Sequence, residues 1–247
     1  MRKLFINEWM KMKYSPLLWA LSGGILAFVL FFGAAPSGVM RPLDSGIPAS
    51  FGYMSSCGTV IMIFLSPIVG IFFTRELQQG TMHNTLSCGV GRGQYFVVKA
   101  VCVVVSGLSV YLVSVLEYTV LRILRDGFWP ASAEIPDCGF AAVLLFQLGC
   151  CVQQVTYISF FLLIAVLTKR TAIVNLAGIV IWFAEAALAL SASWYRGPVA
   201  SILASYDLWM EGKVLTGEFL EQYMQCVIMS AVFFIVSYLI FRKRDIQ

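Results

Sequence analysis

Six apolar runs set the terms for this chain. They cover residues of roughly 17–35, 54–74, 98–121, 139–167, 171–193 and 223–241. A helix needs about 20 apolar residues to cross the hydrocarbon core of a bilayer, and each run meets that length. In lipid the backbone must satisfy its own hydrogen bonds, so such runs become helices. The expected fold is therefore all-α and integral to the membrane, with six transmembrane helices in a single domain over residues 1–247. Charge supports this. Only 12% of the residues are charged, where a soluble domain carries roughly 25%. No stretch is both long and polar enough for a separate soluble domain. The fourth run is the longest and is expected to tilt or bend near Gly149. Lys169 and Arg170 alone separate it from the fifth, which makes a tight hairpin.

Orientation follows from the bias of Lys and Arg toward the inner side. With the N-terminus inside, only Arg41, Arg122, Arg125, Arg196 and Lys213 face out, leaving twelve of the seventeen cations inside. Acidic residues run the other way: Glu8, Glu76 and Asp245 are inside and Asp44, Asp126, Glu134, Asp137, Asp207, Glu211, Glu218 and Glu221 are outside. Both termini are then cytoplasmic.

Before the first run comes RKLFINEWMKMK, residues 2–13. On a helical wheel Phe5, Ile6, Trp9 and Met12 share one face and Lys3, Asn7, Glu8 and Lys11 the other. That pattern reads as an interfacial helix over 2–14, lying on the membrane surface with a basic rim. Pro16 then turns the chain into the bilayer. The charged segment is too structured, and the run after it too long, for a signal peptide.

The most informative polar stretch is residues 75–97, between the second and third runs. Thr81 can cap a short helix from Met82 to Ser87, and Gly89 can end it. Met82 and Leu86 fall four apart and give that helix one apolar face. The loop itself offers this face nothing to pack on, so a partner protein below the membrane is the expected occupant. Glu76 and Arg92 are placed to pair with charges on that partner or with each other. His83 reads as a solvated or partner-facing residue. The last outer loop, 194–222, carries a short helix after Pro198 and a second, capped by Thr216, that runs into the sixth span.

Within the spans Glu117 and Glu185 are the clear carboxylates. At 1.5 Å per residue both lie about 12 Å below the outer surface, with Gln147 near the same depth. Gln147, Cys151 and Gln154 form a polar stripe on the fourth span. Intramembrane polarity of this kind marks either a translocation path, here through Glu117, Gln147, Gln154 and Glu185, or hydrogen-bonded contacts between helices. Gly23-Gly24 permits close helix approach in the first span. The seven cysteines lack metal spacing, with a single outer bridge among Cys57, Cys138 and Cys226 as the alternative to free thiols. No phosphate-binding G-x-x-x-x-G-K-[ST] occurs, and Gly89, Gly91 and Gly93 follow no strand. No catalytic residue, metal site or nucleic-acid interface is expected.

The N-E-W-M-K-M-K start, the six spans and the R-E-L-Q-Q-G-T-M-H-N-T-L-S loop together resemble the membrane subunit of an ABC-2 type ABC transporter. Members share an E-x-x-x-G-T loop followed by an arginine and a lysine entering the third span, here Glu76, Gly80, Thr81, Arg92 and Lys99. The close of the chain, FRKRDIQ, is similar too. The resemblance implies a type V exporter fold with two six-span subunits, identical or different. It implies two separate ATPase subunits that hold the ATP and Mg, so this chain binds no cofactor. Glu76, Gly80, Thr81, Met82, Leu86 and Arg92 then become the residues that couple to the ATPase. The short chain and its N-terminus are similar to permeases of lantibiotic-immunity and bacitracin-type exporters. The implied cargo is an amphipathic or antimicrobial peptide, or a lipophilic drug, leaving through a bacterial cell membrane. An intramembrane enzyme and a non-transporting scaffold or sensor subunit are the alternatives.

Overall fold

The computed structural model describes residues 2–33, 58–87, 89–126, 140–191 and 217–243. Among them there is no strand. The elements are α1 (Arg2–Lys13), α2 (Pro16–Gly33), α3 (Gly58–Val69), a π-helical turn (Gly70–Thr74), α4 (Arg75–Gln78), α5 (Thr81–Ser87), α6 (Arg92–Asp126), α7 (Phe140–Thr168), α8 (Thr171–Ser191) and α9 (Gly217–Lys243). Among the described residues, four stretches are long and apolar enough to cross a membrane: Ile61–Gln78, Arg92–Glu117, Leu144–Thr168 and Leu220–Lys243. Pro16–Ile25 and Thr171–Ala184 are shorter apolar helical stretches. The outer loops, including the expected helix after Pro198, lie outside the described residues, as do Cys57 and Cys138. Cys226 is buried.

The bundle is built around α7. It packs along α9 over most of its length and also against α3, α6 and α8. It runs as one helix through Gly149. Its buried face supplies Phe146, Tyr157, Ile158, Phe161 and Leu162 to a core shared with Met62, Leu65 and Ile68 of α3 and Phe96, Val103 and Tyr111 of α6. The opposite faces of the helices stay apolar as well. Leu116, Leu124, Leu148, Leu176, Phe183 and Ile235 all point outward, as lipid-facing side chains do.

The second span is broken where it meets the polar stretch. Pro67 has no N–H to give the Ile63 carbonyl one turn back. Ser66 supplies the missing donor, with its hydroxyl 3.0 Å from that oxygen. Three residues later the helix widens into the π turn, and the Gly70 carbonyl accepts from the hydroxyls of Thr74 and of Thr171 on α8. α8 can come this close because Gly178 faces Ser66, where a Cβ would sit 2.4 Å from the hydroxyl oxygen. The lower end of α3 is thus pinned to the start of α8 by hydroxyls rather than by its own helical ladder.

Candidate functional site

At the end of the bundle that carries α1, three separate stretches bring charge to one point. Glu8 and Lys11 come from α1, Glu76 from α4, and Tyr95 and Lys99 from α6. The spacings make this possible. Residues three or four apart on a helix share a face, so 8 with 11 and 95 with 99 each present two groups together. Lys99 is 3% exposed at its side chain and Glu8 6%, which puts a charged pair inside an otherwise apolar wall.

The bonding is dense. The Lys99 ammonium pairs with Glu76, lies 3.3 Å from the second oxygen of Glu8 and donates to the Tyr95 hydroxyl at 3.0 Å. Tyr95 in turn donates to Glu76. Lys11 closes the ring, 2.6 Å from Glu8 and 3.1 Å from Glu76. Two carboxylates thus meet two ammonium groups, so the cluster is neutral as a unit. Each buried charge also has a hydrogen-bonding partner, which is the condition under which burial of ions is tolerated.

Lys11 sits at the watery edge of the cluster. Burial alone would lower its pKa, but Glu8 and Glu76 outweigh that and raise it above 10.5. Its contribution is therefore present at every pH below its unfolded value and fades only as pH climbs through the raised folded value. Between about pH 6 and 9 the Lys11 links should stay intact. Thermal stability of the purified wild-type chain should then show no Lys11-dependent slope against pH in that window. A Lys11→Gln comparison run in parallel isolates its share.

α5 lies beside this cluster. It runs from Thr81 to Ser87, as the sequence suggested, between Gly80 at φ +67° and Gly89 at φ +85°. Both are left-handed positions that a side chain strains, so the glycine of the E-x-x-x-G-T pattern has a backbone reason. The apolar face needs correction. Met82 is fully buried and Leu86 half-buried against the protein's own core, so a partner meets other residues. Thr81 and Ser87 are exposed, and Arg92 is exposed at the first position of α6. The wheel for α1 is corrected in the same way. Glu8, expected on the watery side, is buried against α6, and Met12 packs on Val98 and Cys102. Ile6 and Met10 face out.

The intramembrane polar residues do not gather with this site. Gln147 is half-buried and donates to the Tyr111 hydroxyl at 2.7 Å. Gln154 is fully buried within the bundle. Glu117 is partly exposed, with one carboxylate oxygen buried and unbonded. Glu185 lies on α8, its side chain outside those described. Sequence reasoning missed Gln153, which is fully buried with neither amide atom bonded. It also left Glu8, Lys11, Tyr95 and Lys99 off the candidate site. The usable signal was a lysine and a tyrosine four apart at the start of a span.

The sequence model of one family, described as ABC-2 family transporter protein, matches residues 4–185. That range runs from α1 into α8 and contains the whole charge cluster. The chain belongs to the ABC-2 transporter family. It is a multi-pass membrane protein of the permease type, and the family implies ABC ATPase subunits as partners. No curated protein matches the chain.

Proposed function

We propose that this permease is the membrane half of an ABC exporter, driven by ATPase subunits docked at α4, α5 and the start of α6. The observation that carries the reading is the charge cluster. It joins the polar segment between two spans to the shaft of α6 and to α1 through ionic bonds rather than through a mobile loop. A push on α4 and α5 is therefore handed to α3 and α6 as a rigid-body displacement. Glu76 is the fixed point, Gly80 sets the turn, and Met82 and Leu86 root α5 in the core. Thr81 and Arg92, both exposed, lie on the surface that meets the ATPase.

In this reading the segment and both termini are cytoplasmic, in keeping with the distribution of Lys and Arg. The chain spans six times, works beside a second permease subunit, and binds no nucleotide itself. The cargo is an amphipathic or antimicrobial peptide of the lantibiotic type, or a lipophilic drug, moved outward. That assignment is supported by the resemblance of the N-terminus to peptide-immunity permeases. Glu117, Gln147, Gln154 and Glu185 are the candidates for the path.

The test is co-purification with the ATPase, followed by ATPase assays with and without the permease. Wild type should bind and stimulate it. Gly80→Leu forces a side chain into the φ +67° position, at a local cost of roughly 1–2 kcal/mol. It should reduce stimulation at least tenfold while the protein still inserts in the membrane. Glu76→Ala should do the same. If both variants stimulate as wild type does, the segment is not the coupling element.

A further inference from the structure

α1 is built with two faces, and the charge cluster uses only one. Glu8 is the single carboxylate among its twelve residues, and it is turned inward onto Lys99 and Lys11. The remaining charges of the helix, Arg2, Lys3 and Lys13, are all positive. The side away from α6 carries Ile6 at 49% exposure and Met10 at 44%, with Lys13 exposed beside them. Tyr14 follows, its ring 5.6 Å from the Lys13 ammonium. The exposed apolar strip then continues into Trp19 on α2, at the start of the first apolar run. Aliphatic side chains framed by cations, with an aromatic at the bend and direct continuity with a span, match the interface of an anionic leaflet. An acidic protein surface would match the cations but not the exposed apolar side chains of Ile6, Met10, Tyr14 and Trp19.

The inner face makes this contact consequential. α1 is not a free anchor. Through Glu8 and Lys11 it holds the same Glu76 that anchors the segment between the spans. We infer that α1 is a lipid-reading arm: anionic headgroups seat its outer face, and that seating keeps the Glu8–Lys99–Glu76–Lys11 cluster closed and the permease coupled to its ATPase. The inference rests on the coupling reading above and adds a regulator to it. Headgroup charge is the ligand; the acyl chains only receive Ile6 and Met10. Neutral bilayers leave the arm loosely seated, so the same complex in a zwitterionic membrane passes on less of the ATPase stroke.

The experiment uses the complete complex, permease with ATPase subunits, in nanodiscs of phosphatidylcholine alone or with about a third phosphatidylglycerol. Stimulated ATPase activity should be about fivefold or more higher with the anionic lipid, the scale set by one or two cation–headgroup attractions. Lys13→Gln, an exposed change that leaves the cluster intact, should remove about half of the response on a logarithmic scale. Ile6→Glu with Met10→Glu should abolish it, while the variant still retains its ATPase in detergent. Equal wild-type stimulation in the two lipids overturns the lipid inference and leaves coupling standing. No stimulation in either lipid overturns the coupling reading itself. Loss of the ATPase from the Ile6→Glu, Met10→Glu variant in detergent shows that the face docks a protein, and that too overturns the inference.

Discussion

Lys99→Met is expected to be the most damaging single substitution at the base of the bundle. The new side chain fills nearly the same space but removes the ammonium that pairs with Glu76 and Glu8. Two carboxylates would then share Lys11, which is 45% exposed and bonded to each through one oxygen only. The Tyr95 hydroxyl also loses the group that donates to it. Breaking a buried ion pair from one side costs about 3–5 kcal/mol, because the surviving charge is left without compensation. The purified variant should melt well below wild type in detergent and give no ATPase stimulation. Neutralising the rest separates stability from function. Glu8→Gln with Glu76→Gln in the Lys99→Met background removes the stranded charges and should recover most of the lost stability, since apolar or neutral replacement of a whole buried ion cluster is often near neutral. Stimulation should not return, because neutral amides tie α4 to α6 more weakly than the ionic bonds did. A Lys99→Met protein as stable as wild type would show that the cluster is open in solution. Full stimulation by the triple variant would show that rigidity at this point is not what carries the stroke.

The helices were legible because apolar length is a local property of sequence. The end of α7 at Thr168 falls one residue from the end expected for that run. α5 was legible for the same reason, with a capping residue on one side and a glycine on the other. Faces were not legible, because which side of a helix is buried depends on what lies next to it. The wheel of α1 put Met12 with the membrane and Glu8 with water on polarity alone. It could not know that α6 would offer Lys99 to Glu8 and a pocket of Val98 and Cys102 to Met12. The Met82–Leu86 face of α5 was assigned to a partner because nothing in its own loop could cover it. The protein's own core covers it, a contact no local pattern records. The cluster itself joins residues 8, 76 and 99, and only the fold places them together. One consequence is specific to the site: Lys99 at the start of a span and Glu8 on an otherwise basic helix neutralise each other.

The second large effect concerns the seam between α7 and α9, where the part of the chain matched by the family meets the last span. Gly149 lies under the ring of Tyr223. A Cβ there would sit 1.9 Å from the ring Cζ and 2.0 Å from Cε1, so no side chain fits without moving the ring. Tyr223 is itself buried, which leaves the ring little room to swing. About one turn further along α9 and two along α7, Thr156 donates to the Cys226 carbonyl at 3.0 Å, fixing the register of the two helices around that contact. α9 depends on this seam, because α7 is its main neighbour and its outer side is apolar and exposed at Leu220, Met224, Ile228 and Ile235. Helix propensity argues the other way: Gly to Ala in a helix interior gains about 1 kcal/mol. Overpacking costs about 1–3 kcal/mol, and an overlap this deep places the cost at the upper end, so Gly149→Ala should be net destabilising and Gly149→Val more so. Thermal melts in detergent read the sign directly. Tyr223→Ala removes the obstructing ring, and in that background Gly149→Ala should turn neutral or stabilising. The coupling energy of the double-mutant cycle should fall within about 0.5–3 kcal/mol, the range for residues in direct contact. A stabilising Gly149→Ala in the wild-type background would mean that α9 does not rest on α7 at this register. The hold on the last span would then have to come from its contact with α6, where Phe96 meets Phe234, Tyr238 and Phe241.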